Sequence, residues 1–212
     1  MDNADNLFNP SLAAALMKLD PEDGEQISEY FKTHALLTRE KALLQASVDV
    51  SRLDLRIGRI LNVRRHQLAE TMSIQEVDVG ENAPRMVVVS KLGGKTNLEE
   101  LQGSLAVLLC NVKACKVRSV VSQARLLCCS SSDDCIELLA PPTGSAPGDR
   151  VTFLNYPGDP DRELQSKQKV WELLQPDLLV DCKGVANYKG CGFEVKGKGL
   201  CRAPSLTNCT IR

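Results

Sequence analysis

The sequence predicts a mainly β protein that carries a helical extension at its amino terminus. Apolar runs of strand length recur between residues 53 and 153, and turn-forming segments such as residues 80–84 and 141–144 separate them. Before residue 47 the apolar residues recur at helical spacing instead. The hydrophobic fraction is 43% and the charged fraction is 25%, which is typical of a globular protein with an ordinary core.

The β part has the layout of a small barrel. Residues 53–57 alternate between apolar and polar, and the alternation continues on a shifted phase at Ile60 and Val63, so we expect a β-bulge at Gly58. Further strands are predicted at residues 72–79, 85–89, 105–110, 120–129, 136–139 and 151–153, and a short helix at residues 97–102. Five or so bulged strands with one short helix between the third and the fourth match an OB-type barrel, whose open groove binds oligonucleotides.

Past the barrel the pattern changes to a mixture of helix and short strands. Residues 161–174 are predicted to form a helix that buries Trp171 in the core, and short strands are expected at residues 185–188 and 193–195. The predicted fold class is therefore an OB-fold barrel with a carboxy-terminal α+β half-domain and an amino-terminal helical extension. The corresponding domains are residues 1–47, 48–154 and 155–212.

The amino-terminal extension has a strong helix start, with Asp20 as the N-cap and Pro21 as the first helical residue. Nothing in the sequence stops this helix before residue 46. Residues 1–50 hold 9 acidic and 4 basic side chains, a net charge of −5. Docking to one chosen partner and packing on the protein's own domain both fit this pattern. The apolar candidates for docking a partner, at coiled-coil spacing, are Ile27, Tyr30, Leu37 and Leu44.

The best candidate for a working surface is the connector between the strands at residues 105–110 and 120–129. It carries Lys113, Lys116 and Arg118 and no acidic residue, so it can present several positive charges to one phosphate backbone. The simpler alternative is a solvated loop tip, where Lys and Arg are common. Arg56 and Arg59 on the first strand could extend the cationic track. Because aromatic residues make up only 4% of the chain, we expect recognition of backbone shape and charge rather than base identity.

The sequence contains no recognisable catalytic, cofactor or metal site. There is no G-x-S-x-G motif, and the carboxylates are dispersed along the chain. No C-x-x-C pair occurs, and His34 and His66 stand far from any cysteine cluster, which argues against zinc. We therefore expect a protein that is not an enzyme and that has no cofactor and no metal.

The nine cysteines indicate reduced thiols, since they are odd in number and scattered, and the amino terminus lacks the features of a signal peptide. Cys128 and Cys129 lie in an apolar run that should raise their pKa values and make them inert. No apolar run approaches the roughly 20 residues that a membrane-spanning helix needs. We expect a cytoplasmic protein without membrane insertion.

Several blocks of the sequence resemble the tRNA-binding domain of the endothelial-monocyte-activating polypeptide II family. The blocks are residues 50–58 (VSRLDLRIG), 76–81 (EVDVGE), 107–113, 139–142, 147–150 and 193–199. They occur in the family's order, so the resemblance covers roughly residues 48–212. Residues 25–46 are also similar to the amino-terminal helix of the family's precursor, an aminoacyl-tRNA synthetase complex-interacting multifunctional protein.

The resemblance implies a non-catalytic tRNA-binding protein that assists aminoacyl-tRNA synthetases within a multi-synthetase complex. It implies an OB-fold that recognises tRNA by shape, a carboxy-terminal half-domain that mimics a dimer interface, and a helix that docks on arginyl-tRNA synthetase. The residue pattern and the resemblance together give the predicted tRNA-binding residues, which are Arg56, Arg59, Asn111, Lys113, Lys116, Arg118, Ser122 and Arg125.

Released members of the family act as an extracellular cytokine, so the resemblance also implies secretion by a route that needs no signal peptide. The family associates this activity with the segment that matches RIGRIL. In this chain the segment consists of Arg56, Ile57, Gly58, Arg59, Ile60 and Leu61.

The cationic connector departs from the family's pattern. Here it is KACKVRS at residues 113–119, which keeps the cations but lacks the family's proline and ends in Ser119 where the family has glycine. Fewer conformational constraints mean a larger entropy loss on binding, so weaker tRNA affinity is expected, and Arg125 in place of the family's methionine adds one offsetting charge. The alternative function is a cytokine-like signalling or assembly protein with a weakened tRNA-binding groove.

Overall fold

The computed structural model describes residues 32–33, 35–36, 48–90, 92, 97–132 and 135–212. The chain divides into two units, Met1–Ser47 and Val48–Arg212. In the first unit the four described residues are helical, which agrees with the prediction at these positions. The predicted docking residues Ile27, Tyr30, Leu37 and Leu44 lie outside the described residues. No helix in the described part of the chain is long and apolar enough to cross a membrane.

The second unit is mainly β, which confirms the predicted fold class. Its strands are β1 (Leu55–His66), β2 (Ala69–Asp78), β3 (Arg85–Ser90), β4 (Leu105–Leu109), β5 (Cys115–Val117), β6 (Val120–Ser122), β7 (Arg125–Leu126), β8 (Cys128–Ser132), β9 (Cys135–Leu138), β10 (Val151–Thr152), β11 (Leu178–Val180), β12 (Ala186–Tyr188), β13 (Cys191–Gly192), β14 (Glu194–Val195), β15 (Gly199–Leu200) and β16 (Cys209–Ile211). The helix α1 is Val170–Leu174, and single 3₁₀ turns occupy Val50–Arg52, Leu98–Leu101, Ser166–Gln168 and Gln175–Asp177.

The barrel sheet is antiparallel and has the strand order β3-β2-β1-β4-β7. Its two central strands, β1 and β4, bury side chains on both faces. On β1, Leu55 and Ile57 belong to one hydrophobic cluster, whereas Ile60 belongs to a second one. On β4 the same division separates Val107 from Leu108. Because successive side chains of a strand point to opposite faces, each central strand joins two cores.

The predicted bulge at Gly58 is wrong. Gly58 pairs in register with Ala106, and the register shift lies between Ile60 and Asn62. The change of apolar phase at Gly58 arises instead because β1 passes from one core to the other. A Cβ atom at Gly58 would lie 2.7 Å from side-chain carbons of Leu108 and of Val77, so close packing requires glycine here.

Two predicted elements are shorter than the sequence indicated. The strand expected at residues 120–129 is divided into β6, β7 and β8, because β8 leaves the barrel to pair with β16 and β9. The helix expected at residues 161–174 is α-helical only over Val170–Leu174. Lys169, at φ +48°, has the left-handed conformation that separates this helix from the preceding 3₁₀ turn.

The carboxy-terminal segments share a sheet and a core with the barrel. A six-stranded sheet has the order β13-β12-β11-β16-β8-β9, so strands from both sides of residue 154 are hydrogen-bonded together. Phe153 and Phe193 lie in the larger cluster, with ring centroids 5.0 Å apart in an edge-to-face arrangement. The boundary at residue 154 and the resemblance to a dimer interface stay predictions.

Asn111 joins three parts of this unit at the end of β4. Its side-chain amide nitrogen donates to the backbone oxygens of Arg52 (2.9 Å) and Asp161 (2.8 Å). Its amide oxygen accepts the backbone N–H of Asp54 at 3.0 Å. Because Asn111 is buried, the Asp54 N–H and the Asp161 oxygen depend on it for their hydrogen bonds, whereas the Arg52 oxygen also accepts from Asp161 N.

Replacing Asn111 with Ala should lower the free energy of unfolding by about 3 kcal/mol, because three backbone groups lose a partner. Urea unfolding followed by circular dichroism measures the change. The matched control is Asn62→Ala at an exposed position of β1, where a change within about 0.5 kcal/mol is expected. Equal effects of the two substitutions would contradict this role of Asn111.

Candidate nucleic-acid interface

The cationic connector is a β-hairpin. Strands β5 and β6 pair with Cys115 opposite Ser122 and Val117 opposite Val120. The two loop residues, Arg118 and Ser119, have φ angles of +42° and +79°. Positive φ at both positions is the type I′ turn that two-residue hairpins favour, and glycine is the residue best suited to it. Ser119 therefore occupies a position where a side chain is strained.

The hairpin borders a groove of about 400 Å³. Lys113, Cys115 and Val117 form one side of the groove, and Arg125 and Arg212 also line it. Apolar side chains make up most of the remaining wall. They are Met72, Val88, Val89, Val112, Ala124, Leu126, Cys128 and Ile136. No Asp or Glu is present among the described residues that line this groove.

The three predicted cations of the connector take different positions on the hairpin. Lys113 lines the groove, Arg118 lies in the turn, and Lys116 alternates with Cys115 and so faces away from the groove. All three are exposed, and none forms an ion pair with a carboxylate in the described part of the chain. The hairpin is thus positively charged on both faces, rather than presenting one compact patch.

Arg125 is held at the rim of the groove by Trp171. Its guanidinium carbon lies 5.0 Å from the centroid of the indole ring, within the range of a cation–π interaction. Trp171 is half-buried at the edge of the larger cluster, so the predicted core tryptophan is in part a surface residue. The carboxy-terminal half of the unit therefore orients a cation of the groove.

Arg56 forms hydrogen bonds with carboxylates of the protein itself. Its guanidinium group donates to both carboxylate oxygens of Asp54, at 2.8 to 3.0 Å, and to Glu81 at 3.2 Å. The hydrogen bonds that Arg56 donates to Asp54 raise the pKa of Arg56. Glu81 is also bound by Arg85, whose hydrogen bond lowers the pKa of that carboxyl group. The protein's own carboxylates therefore occupy the guanidinium group of Arg56, and its contact with tRNA, which would require these hydrogen bonds to be replaced, stays a prediction.

The remaining predicted residues do not line the groove as free side chains. Arg59 is exposed on β1 and donates to the backbone oxygen of Gly103 at 3.0 Å, outside the groove wall. Ser122 is buried, and its hydroxyl group accepts from Val88 N at 3.0 Å and donates to the backbone oxygen of Ala124 at 3.2 Å. Like Asn111, Ser122 is buried and its side chain is bonded to backbone groups of the protein itself.

The segment associated with cytokine activity is half of strand β1, between β2 and β4. Ile57, Gly58 and Ile60 are buried in it, whereas Arg59 and Leu61 are exposed. In the folded protein only alternate residues of this segment are accessible.

Sequence reasoning missed most of the groove wall. Met72, Ser90 and Ile136 come from three different strands: Met72 and Ser90 are brought together by their pairing across β2 and β3, and Ile136 of β9 lines the same groove. No local spacing signals this arrangement. The interpretation of Cys128 and Cys129 is confirmed, since burial raises the pKa of each thiol to about 12.

Replacing Ser119 with Gly should raise the free energy of unfolding by about 0.5 kcal/mol. Relief of the left-handed strain, about 1 to 2 kcal/mol, exceeds the entropy that glycine costs, about 0.5 to 1 kcal/mol. Urea unfolding measures this change in the free energy of unfolding. Ser131→Gly, at an exposed strand position, is the matched control and should lower stability. A loss of stability in both variants would refute strain at Ser119.

Comparison with known proteins places this unit in a family. A family model described as "Putative tRNA binding domain" matches residues 55–150. The aminoacyl tRNA synthase complex-interacting multifunctional protein 1 of Cricetulus griseus is 53% identical over 165 residues, which are 78% of this chain and 45% of that protein. The cytoplasmic methionine--tRNA ligase of Caenorhabditis elegans is 38% identical over 166 residues, 78% of this chain and 18% of that enzyme.

The chain thus spans about half the length of the multifunctional protein, and a smaller part of the ligase. Among solved structures, the C-terminal domain of Plasmodium vivax p43 superposes with a TM-score of 0.71 at 33% identity, covering 77% of this chain and 99% of that domain. Because this identity extends over nearly the whole of a solved domain with the same fold, the chain belongs to the endothelial-monocyte-activating polypeptide II family of tRNA-binding domains.

Proposed function

We propose that this protein binds tRNA without catalysing a reaction and assists aminoacyl-tRNA synthetases, as a component of a multi-synthetase complex. The family match at residues 55–150 supports the first part of this proposal. The relatives support the second, because one is named for its interaction with a synthetase complex and another is itself a tRNA ligase. Its nine free thiols fit the reducing cytoplasm, where we propose that it acts.

The observation that carries the proposal is the cationic groove beside the β5–β6 hairpin. Lys113 and Arg125 line it, Lys116 and Arg118 lie on the same hairpin, and no Asp or Glu is present among its described lining residues. A second cleft, of about 580 Å³, is larger, but its lining includes as many acidic side chains (Glu81 and Glu163) as basic ones (Arg85 and Arg162). A polyanion is therefore attracted to the first groove more strongly.

Binding of unfractionated tRNA should weaken as salt rises, with a slope of log K against log salt of about −3, if three or four phosphates are contacted. Replacing Lys113, Lys116 and Arg118 together with Ala should reduce the slope to about −1 and weaken binding at least tenfold at low salt. Filter binding at several salt concentrations measures both quantities.

The matched control removes three exposed lysines that lie outside the groove: Lys167, Lys183 and Lys196. This control removes the same number of positive charges as the Lys113, Lys116 and Arg118 substitutions. It should change the slope of log K against log salt by less than half as much. Equal effects of the two triple substitutions, or a flat salt response of the unchanged protein, would refute the proposed site.

The same proposal assigns synthetase docking to residues 1–47, with arginyl-tRNA synthetase as the partner. Deleting residues 1–46 removes 8 acidic and 4 basic side chains, so tRNA binding should persist or improve. Co-elution with arginyl-tRNA synthetase in size-exclusion chromatography should be lost. Co-elution that persists after the deletion would refute docking through residues 1–47. Loss of tRNA binding after the deletion would refute the expectation that the groove binds tRNA without this segment.

Cytokine-like signalling is less well supported. Burial of Ile57, Gly58 and Ile60 in the middle of the barrel sheet leaves a receptor few side chains of that segment to contact.

A further inference from the structure

The interior of the groove has the chemistry of a small-ligand site rather than of a flat phosphate-binding surface. Its volume of about 400 Å³ falls in the range of pockets that enclose a small organic group. Met72, Val88, Val117 and Leu126 supply an apolar wall. Phosphate groups alone would gain nothing from this wall, since they are strongly hydrated, whereas a planar base would be desolvated against it.

The charges of the groove complement a single nucleotide. Lys113 and Arg125 lie at its border, with no Asp or Glu among the described lining residues. Trp171 holds the guanidinium group of Arg125 in place, so less side-chain entropy is lost when an anion binds. An apolar cavity beside a restrained cation matches a group that is flat and apolar at one end and anionic at the other.

We propose that this groove binds an unpaired RNA nucleotide, with its base against Met72, Val88 and Leu126 and its phosphate at Lys113 and Arg125. The inference rests on the tRNA-binding function proposed above, and it names the part of the RNA that the groove accepts. A base inside a duplex is paired and stacked, so it cannot enter a cavity of this size unless it leaves the helix.

Binding in the groove should tolerate different bases. The Ser122 hydroxyl is already used by Val88 N and by the backbone oxygen of Ala124, so the wall offers few groups that could distinguish one base edge from another. Apolar packing against a base face is available to every base.

Competition against labelled tRNA on the full chain tests the proposal. The competitors are two single-stranded RNA octamers, oligo-U and oligo-A, and a 12-base-pair RNA duplex. We expect both octamers to displace tRNA at concentrations at least tenfold below that of the duplex, and within about fivefold of each other.

A groove-filling variant separates the cavity from the charges around it. Ser90 is exposed, lines the groove and is paired with Met72 on the neighbouring strand. The substitution Ser90→Trp therefore places an indole in the cavity without removing a cation. It should weaken octamer binding at least tenfold and duplex binding less than twofold. The matched control, Ser90→Ala, should change neither.

A footprint keeps the test independent of that variant's folding. Cys115 lines the groove, and Cys182 is exposed outside it. Saturating octamer should slow alkylation of Cys115 at least fivefold in the unchanged protein and leave Cys182 unaffected, as measured by mass spectrometry.

The outcomes distinguish this inference from the proposed function. If tRNA binds with the expected salt slope but the octamers compete no better than the duplex, or Cys115 is not protected, the unpaired-nucleotide site is refuted and the tRNA-binding function stands. A folded Ser90→Trp variant that weakens octamer and duplex equally also refutes it. If neither tRNA nor octamer binds, both proposals fail.

Discussion

Burial on both faces of β1 and β4 is the constraint on which the rest of this structure depends. A sheet whose central strands are apolar on both sides cannot leave either face in water, so one face closes on itself as the barrel interior and the other must be covered. Residues from β10 to β16 cover it, with Phe153 and Phe193 in the shared core. The barrel and the carboxy-terminal segments are therefore parts of one compact unit.

This arrangement also determines where a ligand can bind. With both faces of the central strands occupied, the accessible part of the barrel is its rim, where the β5–β6 hairpin, β3 and β9 approach one another around a groove. Strand β8 belongs to the carboxy-terminal sheet yet contributes Cys128 to the groove wall. Trp171 contributes a contact to Arg125. The covering segments thus shape the site as well as stabilise the fold.

The arginines of the barrel show why charge in a sequence is a poor guide to a binding surface. Arg56 is bound to Asp54, two residues before it, and to Glu81, 25 residues away, and Glu81 is also bound by Arg85. Through these contacts, their guanidinium groups connect the turn after β2 to β1 and to the end of β4. Lys113 and Lys116, which have no carboxylate partner among the described residues, retain the charge that a polyanion requires.

The amino-acid sequence was sufficient to predict the class of fold, most strand positions and a cationic connector between two strands, because strand alternation, turn residues and a run of unopposed cations are local properties. Tertiary structure alone decided that Gly58 is a close-packing position, that Asn111 and Ser122 are structural, and that carboxylates of the protein occupy the guanidinium group of Arg56. It also decided that Met72, Ser90 and Ile136 share one groove. Apart from the bond between Arg56 and the neighbouring Asp54, these depend on which residues meet from segments far apart in the chain, and the register that brings them together is set by the packing of the whole core.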